Sequence, residues 1–178
     1  PSTQLEQYGV GISNLLDLSV FTNELDVIGW QSTDWTDKTG WQRGSRGNFT
    51  TTDQDSFVGN RSALMLFPKN ITSGINTILS TNQVSSSQGD IVFFEIWLKL
   101  KSGPVDSYIM RIQNRDSNSS TLDTKIQNMT ITNEWRSFQM SKESVSGTDF
   151  VVVSLARITA GSQDTEVFID NVFVVKNP

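Results

Sequence analysis

The sequence predicts an all-β protein, a single β-sandwich of jelly-roll type. Three observations point there. Eight or nine short runs of apolar or alternating residues recur along the 178-residue chain. Clusters of Gly, Ser, Asn and Asp separate them. No segment carries sustained helical periodicity, and no internal repeat is present. Many short strands at this spacing pack as two sheets.

Taken in order, residues 1–12 (Pro1 to Ile12) are polar and read as an N-terminal arm or linker, with the domain over 13–178. Asn14–Phe21 reads as a first strand. Ser62–Phe67, Gly74–Leu79, Ile91–Leu100, Tyr108–Gln113, Lys125–Ile131, Trp135–Met140, Phe150–Ile158 and Glu166–Val175 read as further strands. Turn signals lie between them, such as Gln88-Gly89-Asp90, Ser102-Gly103-Pro104 and Ser146-Gly147-Thr148. The Ser/Asn-rich run after Asp116 reads as a mobile loop. On Ile91–Leu100, alternation puts Val92, Phe94, Ile96, Leu98 and Leu100 on one face. That set is wholly apolar and should point between the sheets. Ile91, Phe93, Glu95, Trp97 and Lys99 share the other face, which must be covered or functional. Trp30 to Asn60 is different: rich in Trp, Gly, Arg and Asp and poor in aliphatics, it reads as a long functional or docked loop.

Composition removes much of the chemical menu. The chain has no Cys and no His. Disulfides, thiolate nucleophiles and thiolate metal sites are excluded, and so are imidazole bases and Ser–His–Asp triads. Hard, oxygen-ligated ions such as calcium are left. The net charge of −5 argues against non-specific nucleic-acid binding. Runs such as Phe150–Val153 are too short to span a membrane. The opening Pro1-Ser2 suits signal peptidase poorly, so the expected setting is a virion surface or an excised extracellular module.

Several landmarks then resemble jelly-roll carbohydrate-binding modules of the galactose-binding-like superfamily. Asn14-Leu15-Leu16, Phe21 and Gly29-Trp30 are similar to that family's first strand. Gln83-Val84, Gly89 and Phe94-Glu95-Ile96-Trp97-Leu98-Lys99 resemble its central strand. Trp135-Arg136-Ser137-Phe138 and Val167-Phe168-Ile169-Asp170-Asn171-Val172 resemble the strand that follows and the last one. The order is kept over residues 14–176. The resemblance implies the fold and a glycan groove on one sheet face. It also implies a structural calcium held by Asp170 with oxygens from the first strand and its loop. Thr22 stands where the family usually has Glu, so Asn23, Glu24 and Asp26 are the substitute donors.

The candidate glycan contacts follow from sugar chemistry. An aromatic face stacks on the C–H face of a pyranose, and charged or amide side chains bind its hydroxyls. Trp35 and Trp41, with Arg43 and Arg46, form one such set. Those aromatics could instead pin the loop or anchor a protein interface. Trp97 with Glu95 forms a second set, and Arg111 with Gln113 a third, for which a solvated strand edge is the plainer reading. Asp170 could equally accept N–H groups and close a turn. Sequons at Asn48, Asn60, Asn70, Asn118 and Asn128 are expected by chance in so polar a chain.

The expected function is therefore a non-catalytic binding module, with carbohydrate as the leading ligand. Glu95 and Asp170 are a conceivable carboxylate pair, but no spacing rule links them. The alternative is a structural virion protein, a phage capsid decoration or tail-fibre component. Its N-terminal arm would insert into a neighbouring subunit.

Overall fold

The computed structural model describes residues 27–28, 41–43, 48–69, 76–80, 84–105, 108–157 and 163–177. The expected arm over 1–12 and the expected strand Asn14–Phe21 lie outside them. The described strands are β1 (Val27–Ile28), β2 (Trp41–Arg43), β3 (Asn48–Thr52), β4 (Ser62–Phe67), β5 (Asn76–Ser80) and β6 (Val84–Ser85). Then come β7 (Ile91–Ser102), β8 (Tyr108–Arg115), β9 (Thr121–Met129), β10 (Arg136–Glu143), β11 (Phe150–Arg157) and β12 (Thr165–Lys176).

They build two six-stranded antiparallel sheets. The first runs β10-β7-β12-β4-β3, with β1 also on β12. The second runs β2-β5-β11-β8-β9, with β6 also on β11. The central strands are the most apolar ones, because they alone are flanked on both edges. Ala63, Met65, Phe94, Ile96, Leu98, Val167 and Ile169 of the first sheet meet Met110, Ile112, Val151, Val153 and Leu155 of the second in one core. The alternation expected along β7 is thus observed. At the open edges, Lys142 of β10 reaches Asp123 of β9 at 2.6 Å and ties the two sheets together.

β12 breaks its own alternation. Val167 and Ile169 point to the core, and then Val172 and Val174 do. A bulge between Asp170 and Phe173 takes up the extra residue. Asn171 sits there at φ 51°, a left-handed conformation that Asn tolerates well. Gly103, at φ 96°, closes the β7–β8 turn where a Cβ would lie 2.6 Å from the Asp164 carbonyl oxygen.

Two expectations need correction. The Trp30–Asn60 stretch is not one loop: Trp41–Arg43 and Asn48–Thr52 add strands to the two sheets. Phe49 followed by three Thr residues has the β-branched, half-apolar character of a strand. The run after Asp116 is a capped hairpin turn rather than a mobile loop. Asp116 Oδ1 accepts the N–H groups of Asn118 and Ser120, both at 2.9 Å, so β9 begins at Thr121.

Candidate functional site

The outer face of the first sheet carries Glu95, Trp97 and Lys99 of β7, in the alternation expected. The connection after β3 folds over it. Phe57 stacks on Trp97 with ring centroids 3.8 Å apart and planes 16° from parallel. Trp135 packs beside Phe57 at 6.1 Å and beside Phe168 at 6.2 Å. Asp55 receives Lys99 Nζ at 2.5 Å and Trp135 Nε1 at 3.3 Å. Burial pushes the Asp55 carboxyl up, but the bonds from Lys99 and Trp135 and the Lys99 charge outweigh it and hold it below its ordinary value. Trp97 Nε1 is buried and has no hydrogen-bond partner. The chain's own aromatic ring therefore occupies one face of Trp97.

Asp170 anchors that cover. Its Oδ2 accepts the N–H groups of Phe57 at 2.7 Å and Val58 at 2.9 Å, and its Oδ1 accepts Asn171 N–H at 2.7 Å. Glu95, fully buried, accepts Gln139 Nε2 at 2.6 Å on Oε1, while Oε2 has no partner. Burial pushes the Glu95 carboxyl up to about 9, and the Gln139 bond offsets only part of the shift. Glu95 is thus closed off from solvent, and both Asp170 oxygens accept backbone N–H groups. The expected calcium set of Asp170 with Asn23 and Glu24 lies only partly within the described residues. Asp170 faces N–H donors, and no cluster of three acidic side chains exists among the described residues. Asn23 and Glu24 lie outside them.

The second sheet presents a different outer face. Alternation along β8 sends Met110, Ile112 and Asn114 inward and leaves Arg111, Gln113 and Arg115 half-buried on the outside. Arg111 Nε donates to Ser154 Oγ of β11 at 2.8 Å. Arg115 Nη2 donates to Gln113 Oε1 at 2.9 Å, and Arg115 Nε is buried without a partner. Burial, then the nearby Arg115 charge, holds Arg111 below its ordinary pKa. Phe150 and Val152 of β11 lie opposite Arg115 and Gln113, and Ile126 of β9, 55% exposed, lies opposite Arg111. At the Arg115 end the face opens into a cleft of about 340 Å³ lined by Ser85, Ser117, Ser119, Asp149 and Phe150.

The structure thus splits the expected glycan contacts. Glu95 and Trp97 stand on one side of the sandwich, and Arg111 and Gln113 on the other. Trp41 and Arg43 belong to the second sheet, on β2. Arg43 pairs with Ile78, in the row of the core residue Leu155. Gln42 pairs with Leu79, in the row of Ser154 and Arg111. Trp35 and Arg46 lie outside the described residues. Arg115 was the residue to add from sequence, since it shares the parity of Arg111 and Gln113. Asp149 and Ser85 reach the same end only through strand pairing, which no local pattern announces.

No protein-family model matches the chain, and no curated protein does. Solved structures do. The chain superposes on the CBM22-1 xylan-binding domain of Paenibacillus barcinonensis Xyn10C with a TM-score of 0.61 at 15% identity, covering 85% of this chain and 93% of that one. A family 11 carbohydrate-binding module of the Clostridium thermocellum cellulase Lic26A-Cel5E gives 0.54 at 12% identity, over 83% and 95% of the two chains. The enzymatically active domain of bacteriophage CBA120 tailspike protein 4 gives 0.60 at 14% identity, over 84% of this chain and 21% of that one. This chain therefore spans about a fifth of the tailspike chain. At these identities the likeness is one of fold, and the two antiparallel sheets agree with it: the chain has the β-sandwich jelly-roll fold of carbohydrate-binding modules.

Proposed function

We propose that the protein is a non-catalytic carbohydrate-binding module that receives its glycan across the outer face of the β2-β5-β11-β8-β9 sheet. The observation that carries this is the Arg111–Gln113–Arg115 row. It puts hydrogen-bonding groups on a half-buried face leading into an open cleft. Amide and guanidinium groups suit sugar hydroxyls, and a half-buried strand face holds them in fixed positions. In this reading the aromatic partner comes from the segment around Trp35 and Arg46, which flanks β2 in the chain. Superposition on binding modules over nearly their whole length supports the reading. The absence of His and Cys and the engagement of Asp170 support the non-catalytic part.

Calorimetric titration against a panel of neutral and acidic oligosaccharides tests it. Arg111→Ala or Gln113→Ala should weaken the best ligand about tenfold, as loss of a good polar contact does. Trp97→Ala should leave affinity unchanged while lowering the melting temperature. Heat from no glycan, or a loss confined to Trp97→Ala, would contradict the proposal. Release of new reducing ends would contradict the non-catalytic part.

The superposition on a phage tailspike domain favours a second reading, a component of a virion with the same fold. Recovery of the protein with purified phage particles would support it. Its absence from purified particles would oppose it.

A further inference from the structure

The second sheet's outer face holds two cations with no salt-bridge partner among the described residues. Arg111 and Arg115 lie four residues apart on one side of β8, about 13 Å along an extended strand. Each is half-buried. Arg111 bonds a hydroxyl, and Arg115 bonds an amide oxygen and leaves Nε buried and unpartnered. No carboxylate among the described residues forms a salt bridge with either. The acids nearest in the chain are otherwise placed. Asp116 uses Oδ1 to cap the hairpin turn, and Asp149 lines the open cleft. Asp123 is paired with Lys142. This chain has 19 acidic and 14 basic residues, so an unneutralised Arg pair is not forced by a shortage of acid. Arg is the side chain whose planar fork matches a carboxylate with two parallel bonds. A neutral polysaccharide would leave both charges desolvated and repelling.

We propose that the glycan taken on this face is acidic, a chain of several sugar rings whose carboxylates are received by Arg111 and Arg115 while Gln113 binds between them. The inference rests on the carbohydrate-binding reading and adds the charge class of the ligand. A carboxylated chain, unlike a nucleic acid, has the spaced negative charge this row can receive without the broad basic surface that this acidic protein lacks.

The test compares the intact protein's binding to polygalacturonate and polysialic acid, to the same polymers after carboxyl reduction, to xylan, and to single-stranded DNA. At least one acidic polymer should bind about tenfold or more tightly than its reduced form, and salt should weaken it. The double variant Arg111→Gln/Arg115→Gln should bind the acidic polymer no more tightly than its reduced form. Equal binding of acidic and reduced polymers, or of xylan alone, overturns the inference and leaves the carbohydrate reading standing. Binding to none of the saccharides overturns both. Stronger binding of DNA than of every saccharide also overturns both. Should the double variant not fold, the carboxyl-reduction and salt comparisons on the native chain still decide.

Discussion

Glu95 shows how the face a residue occupies is legible in sequence while its burial is not. Alternation puts it on the outer face of β7, and it is there. It is also fully buried, which no pattern of neighbours along the strand announces. Its carboxyl is pushed up to about 9 by that burial. The folded state therefore holds a proton that the unfolded state releases above its ordinary value of 4.5. The Glu95 contribution to stability is complete below about 4.5 and is lost as pH rises toward 9. Glu95→Gln keeps the shape and removes the charge, so it should flatten this slope and stabilise the protein at pH 8 by about 1–3 kcal/mol. Urea unfolding of both proteins across that pH range checks it. A variant with the same slope as the parent would show that Glu95 ionises freely in the fold.

At the element scale, the connection between β3 and β4 and the bulge in β12 work as one device. The Asp-Asn pair was legible as a landmark, and the loss of alternation between Ile169 and Val172 marks the bulge in the sequence itself. What Asp170 does was legible only as one of two options, because its partners, Phe57 and Val58, lie 113 and 112 residues away. Strands β2 and β3 were missed since edge strands carry one apolar face at most and short ones read as loop. Asp170→Asn removes the charge that three backbone N–H groups share. It should cost about 1–3 kcal/mol, with the Phe57 and Val58 amides exchanging faster than those of β11. Unchanged exchange at those two amides would remove Asp170 as the anchor.

Across the whole molecule, the two outer faces divide the labour. The first sheet's face is occupied by the chain's own Phe57 and Trp135, and the second sheet's face keeps its polar row half-buried beside an open cleft. Fold class was readable because strand spacing and apolar alternation act locally. Which face is covered was not, because that depends on where distant connections land. The stabilising contacts of the covered face are aromatic, ionic and N–H mediated, and none needs a metal. Adding a chelator should therefore leave the melting temperature unchanged, as measured by circular dichroism. A fall of several degrees, restored by calcium, would assign an ion to Asp170 with Asn23 and Glu24. The account's central claim is that glycan meets the β8 face. Amide chemical-shift mapping during titration with the best-binding oligosaccharide tests it most directly. The account predicts that the largest changes fall on Arg111, Gln113, Arg115, Ser117 and Ser119. Changes centred on Trp97, Phe57 and Trp135 would contradict it.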